Sequence, residues 1–96
     1  MRVIVSYDIS SSKDRKNFSD FLIAEGFIRI QKSAFLGEIS QEVIEEKINN
    51  LNDVLRDEKD SILICPLCED DINKSYFVGI TFDLMEFEEF KKFIMF

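Results

Sequence analysis

The sequence predicts an α+β sandwich, with two helices packed on one face of an antiparallel sheet. Three observations carry this. Short β-rich runs alternate with two stretches of helical apolar spacing, in the order strand, helix, strand, strand, helix, strand. Each helical stretch opens on serine, whose hydroxyl can accept from the free N–H groups of a first turn. Ninety-six residues, 46% of them apolar and 32% charged, are enough for one globular domain and too few for two. Two right-handed split βαβ units in this order give the ferredoxin-like sandwich.

Residues 2–10 ("RVIVSYDIS") open with the β-branched Val3, Ile4 and Val5 and end on Tyr7 and Asp8 before a serine-rich loop. Ser10, Ser11 and Ser12 are N-cap candidates for the first helix. Phe18, Phe21, Leu22 and Ala24 form its apolar stripe, and Gly26 is placed to end it in a left-handed conformation. Residues 27–31 alternate, with Ile28 and Ile30 on one face and Phe27, Arg29 and Gln31 on the other. Lys32 and Ser33 make a turn or bulge, and residues 34–39 a third strand interrupted by Gly37. Ser40 caps the second helix, whose Ile44, Ile48, Leu51 and Leu55 recur at steps of four, three and four. Residues 57–60 are a charged loop, and residues 61–67 ("SILICPL") a strand in which Pro66 marks an end or an edge.

Residues 75–82 read as a fifth strand, closing a domain at residues 1–82. Residues 83–96 are an amphipathic tail with Leu84, Phe87, Phe90 and Ile94 on one side. Helices on one sheet face leave the other bare. Phe27, Phe35 and the tail imply that a second copy covers it, giving a homodimer with the tail docked on the partner.

The chain has no histidine, which excludes histidine general bases and histidine-containing zinc sites. No apolar run approaches the ~20 residues of a membrane span, and no basic-then-apolar leader is read at the start, so a cytoplasmic location is expected. The net charge of −7 is unevenly placed: residues 1–36 carry six basic and four acidic side chains, residues 37–96 six and fifteen. The acidic remainder suits a basic protein partner, while the first third can present a local basic face to nucleic acid. Cys65 and Cys68 straddle a strand end followed by Glu69, Asp70 and Asp71. That acidic setting favours reduced, structural thiols over a redox or zinc pair.

Asp8 admits two readings from its position alone, an Asx-type cap of the following loop or a metal ligand. Arg15 and Arg29 are candidate phosphate contacts, because a guanidinium grips phosphate in a bidentate fork. Phe35 is a candidate for stacking on a base, or else for the core of a dimer.

"VIVSYDIS", "DRKNFSDFL", "GFIRIQKSAFLGEI" and "DSILICPLC" together resemble the CRISPR-associated protein 2 family over residues 2–80. Asp8 with "RIQKSAFLGE" at this separation is the most specific part. The resemblance implies a prokaryotic homodimer joined through open sheet faces and a metal-dependent endonuclease acting on RNA or DNA. It also implies a scaffold that bridges the CRISPR-associated integrase around foreign DNA during spacer acquisition. Asp8 falls on the family's catalytic, metal-site aspartate, for which Mg²⁺ or another divalent cation such as Mn²⁺ is expected. Arg15, Arg29 and Phe35 fall on positions used near the site or its interface. Some relatives carry a second basic residue in the first helix where this chain has Asn17. The competing expectation is a toxin-like RNase of the virulence-associated protein D type, which shares the fold and an early-strand aspartate; "RIQKSAF" argues against it.

Overall fold

The computed structural model describes residues 1–51, 55, 57–76 and 78. Its elements are β1 (Arg2–Asp8), α1 (Ser12–Ala24), β2 (Ile28–Gln31), β3 (Ala34–Glu38), α2 (Gln41–Leu51), β4 (Ser61–Leu67) and α3 (Glu69–Lys74). The four strands form one sheet in the order β2-β3-β1-β4, every neighbouring pair antiparallel. This is the ferredoxin-like order that the alternation of elements predicts, with β1 at the centre.

Local chemistry accounts for the boundaries. The Ser11 hydroxyl accepts from the Asp14 N–H at 3.3 Å, making Ser11 the N-cap of α1, with Asp14 in a first turn that favours negative charge. Gly26 takes φ 91° just past the end of α1, a conformation that other residues rarely adopt. Ser40 repeats the cap at α2, its hydroxyl accepting from Val43 N–H at 3.3 Å. The turn expected at Lys32 and Ser33 joins β2 to β3, and a register shift falls just before it, between Arg29 and Gln31.

Alternation along β1 sends Val3, Val5 and Tyr7 toward the helices, where they form one core with Ile9, Phe18, Leu22, Phe27 and Phe35. Phe27 and Phe35 therefore belong to the helix-covered side, a correction to the expectation that they line the bare face. Register decides this. Phe35 stands opposite both Val5 and Arg29, so it shares their face. Close packing fixes Phe27 as well, since a Cβ at Gly37 would lie 2.5 Å from the Phe27 ring. The opposite face holds a smaller cluster of Ile30, Ala34 and Leu36 with Ile4 and Ile28 against it.

The short helix α3 has no counterpart in the sequence-based reading. Six residues with Ile72 as the one apolar side chain carry no periodic signal, although three acids at the start and Lys74 at the end suit the helix dipole. Ile72 is 1% exposed and borders, with Ile4, Ile30, Leu36 and Leu67, a groove of ≈ 240 Å³ on the face away from α1. α3 thus begins to cover that face from within the same chain.

Cys65 and Cys68 are free and exposed thiols, and Cys68 Sγ donates to Asp71 Oδ2 at 2.9 Å. Ser75 continues in extended backbone (φ −77°, ψ 148°). The rest of the expected fifth strand, apart from Tyr76 and Val78, the boundary at residue 82 and the tail 83–96 lie outside the described residues. Among the described residues no helix is long and apolar enough to cross a membrane.

Candidate functional site

Asp8 ends β1, exposed, opposite Ser61 of β4. It follows Ile4 and Ser6 in the alternation, so it lies on the sheet face away from the helices. Among the described residues its carboxylate has no hydrogen-bond or ion-pair partner.

Other groups hold the loop that follows. Asp60 Oδ1 accepts from both the backbone N–H and the hydroxyl of Ser10, each at 2.8 Å. Arg15 braces the same loop from the helix, donating to the carbonyls of Ile9 and Ser10 at 3.2 and 3.4 Å and to Ser12 Oγ at 3.0 Å. The Tyr7 N–H donates to the Ser33 carbonyl at 3.1 Å, tying the end of β1 to the β2–β3 turn. Loop capping is therefore done by Ser11, Asp60 and Arg15. The alternative role that position alone allowed Asp8 is taken by others.

An exposed carboxylate is a hard oxygen donor of the kind that Mg²⁺ takes singly or in pairs, with waters and phosphate filling the remaining positions. Among the described residues no three or more His, Cys, Asp or Glu side chains group to hold an ion. Among the described residues Asp8 stands as a single carboxylate, so an ion held there would need its remaining ligands from elsewhere.

The basic residues gather elsewhere. A groove of ≈ 390 Å³ between α1 and the β2–β3 turn is lined by Arg15, Lys16, Arg29 and Lys32, with Asp20 as the one acid. Lys16 Nζ and Asp20 Oδ2 pair at 2.7 Å, both exposed. The structure thus brings Arg15 and Arg29 together and adds Lys16 and Lys32. Lys16 reads in the sequence as part of a solvated helix face, and Lys32 as a turn residue. The signal for Lys32 is its place just past the bulge, which carries the chain round to the Arg29 side.

Arg29 lies on the helix-covered side, its guanidinium 5.0 Å from the centre of the Phe35 ring. Asp8 and Arg29 therefore occupy opposite faces of the sheet. Phe35, at 0% exposure, has no free face for a base. Its ring stacks on Tyr7 (6.2 Å, 20°), and Tyr7 meets Phe18 edge-on (5.2 Å, 85°). The aromatic column is the floor on which Arg29 rests, and it sets where that guanidinium points.

The family model "CRISPR associated protein Cas2" matches residues 1–75. The CRISPR-associated endoribonuclease Cas2 of Desulforudis audaxviator is 28% identical over 86 residues, covering 90% of this chain and 81% of that one. The protein of the same name from Korarchaeum cryptofilum is 32% identical over 83 residues, covering 82% and 85%. The crystal structure of Streptococcus pyogenes Cas2 superposes with a TM-score of 0.69 at 19% identity, over 82% of this chain and 100% of that chain, a likeness of fold.

Proposed function

The chain belongs to the CRISPR associated protein Cas2 family, and from that premise we propose that it is a metal-dependent endonuclease of a prokaryotic CRISPR system. It hydrolyses phosphodiester bonds in RNA or DNA and, as a homodimer, bridges the CRISPR-associated integrase and foreign DNA. The observation that carries the catalytic part is the Asp8 carboxylate, exposed and without a partner among the described residues while Ser11, Asp60 and Arg15 secure its loop. The names of the two relatives, both CRISPR-associated endoribonucleases, support cleavage of RNA.

Dimerisation through the face that bears the half-buried Ile4 and Ile28, with the exposed Leu63 on the same side opposite Ser6, would cover apolar side chains and bring two Asp8 residues together. Two carboxylates ~4 Å apart repel by about 4 kcal/mol at an effective dielectric of 20, and a divalent cation between them removes that repulsion. Asp8 of each copy would hold Mg²⁺, which supplies Lewis acidity for activating water and offsetting charge on the phosphoryl oxygens. Arg15, Lys16, Arg29 and Lys32 hold backbone phosphates of the bound nucleic acid, without reading sequence. Because those residues sit across the sheet from Asp8, they anchor the nucleic acid away from the bond that breaks.

Labelled RNA and duplex DNA incubated with the purified chain test the reading. Cleavage of at least one substrate is expected with Mg²⁺ and is lost on adding EDTA; no cleavage, or cleavage indifferent to chelation, rejects it. The anchoring groove has its own test. Replacing Lys16 and Lys32 together with alanine should flatten the dependence of log binding constant on log salt by about 1.4 for a single strand, at ~0.7 per phosphate contact. An unchanged slope places the phosphates elsewhere.

A further inference from the structure

Asp60 stands 50 residues from Ser10 in sequence, yet its Oδ1 closes on both the amide and the hydroxyl of that residue. The turn that presents it is itself closed: Asp60 N–H donates to the Asp57 carbonyl at 2.9 Å, and Lys59 N–H to Asp57 Oδ1 at 2.9 Å. Directly after Asp60, Ser61 enters the β1–β4 ladder opposite Asp8. The chain on either side of the candidate ligand is thus fixed, by the ladder at Asp8 and by the Asp60 clamp at Ser10. Ile9 between them is 2% exposed and anchored in the core.

We propose that Asp60 is a positioning residue, which holds the loop after β1 so that the Asp8 carboxylate is presented to a divalent cation in one orientation. This rests on the reading of Asp8 as a metal ligand. Both hydrogen bonds end on the same Oδ1, so what the clamp requires is an accepting oxygen at that place, which the carboxylate charge strengthens. Partners hydrogen-bonded to a metal ligand change metal affinity about 10–100-fold when removed; Asp60 acts through Ser10, two residues from Asp8, so the lower end of that range is expected. Asparagine keeps an accepting side-chain oxygen of the same reach. Alanine removes it.

The test titrates Mn²⁺ into the full chain by calorimetry, for wild type, Asp8→Asn, Asp60→Ala and Asp60→Asn, alongside amide hydrogen exchange at Ser10. Asp60→Ala should weaken Mn²⁺ binding about ten-fold or more and speed exchange of the Ser10 amide. Asp60→Asn should bind within about three-fold of wild type, far inside the loss set by removal of the acceptor, with the Ser10 amide still protected. Rescue by asparagine separates positioning from a general loss of fold. If Asp8→Asn abolishes binding but Asp60→Ala does not, the positioning role is overturned while Asp8 stands. If Asp60→Asn fails as badly as Asp60→Ala while Ser10 stays protected, the charge is what matters, and Asp60 is a ligand and not a positioner. Equal binding by wild type and Asp8→Asn removes the metal reading itself, and the role of Asp60 with it.

Discussion

On the proposed function, Asp8→Asn is expected to abolish magnesium-dependent cleavage and to leave the protein able to dimerise and to bind the proposed integrase partner. The side chain is exposed, and among the described residues it holds no other part of the fold in place, so its replacement removes the proposed ligand without removing a structural contact. Asparagine keeps the shape and gives up the negative charge that a hard cation requires. The loss in rate should exceed the about 10–100-fold that follows loss of an outer partner, since here the ligand itself is altered. Dimerisation should be unchanged or slightly stronger in the absence of metal, because in the proposed dimer two facing carboxylates become two neutral amides. Cleavage assays, light scattering and co-elution with the integrase read the three properties separately. Cleavage that persists with Mg²⁺ would release Asp8 from catalysis. Loss of the dimer would instead make it an interface residue.

The order of elements was legible in the sequence because each boundary has a local cause. Ser11 and Ser40 cap their helices, Gly26 takes the positive φ, and the alternation of Val3, Val5 and Tyr7 marks a strand half-buried on one side. Which sheet face the helices cover is not a local property. Alternation in residues 27–31 separates Phe27 and Arg29 from Ile28 and Ile30 but does not say which pair meets α1. Pairing of Phe35 with Val5 and Arg29 decides it, and pairing is a long-range fact. The same limit hid the basic groove, since Lys16 and Lys32 lie on separate elements and meet only when β2 returns beside α1. Asp60 was hidden for a related reason. It reads as one acid among several in a charged loop until the sheet carries it to Ser10.

Phe35→Ala should cost the fold about 3–5 kcal/mol, the range for emptying a fully buried aromatic site. For a domain this small, with a total stability of roughly 5–14 kcal/mol at ~0.05–0.15 per residue, that is a large part of the whole. At about 4–8 °C per kcal/mol the melting temperature should fall by more than ~12 °C. Alanine alone cannot distinguish a core ring from a ring that stacks on a base, because an unfolded chain binds nothing. Phe35→Leu can. Leucine retains much of the apolar volume between Tyr7 and Arg29 and gives up the ring on which the guanidinium rests, at roughly 0.5–2 kcal/mol. Base stacking on an exposed aromatic is worth about 1–3 kcal/mol per base, so a stacking Phe35 would lose about 5- to 150-fold in affinity on becoming leucine. A ring sealed in the core predicts no more than a few-fold loss of binding, through the less firmly seated Arg29, at temperatures where the variant is folded, with a clear loss of thermal stability. Thermal melts and filter binding on the same preparation measure both. A Phe35→Leu protein that melts like wild type but binds ten-fold more weakly would mean that the ring leaves the core to meet nucleic acid.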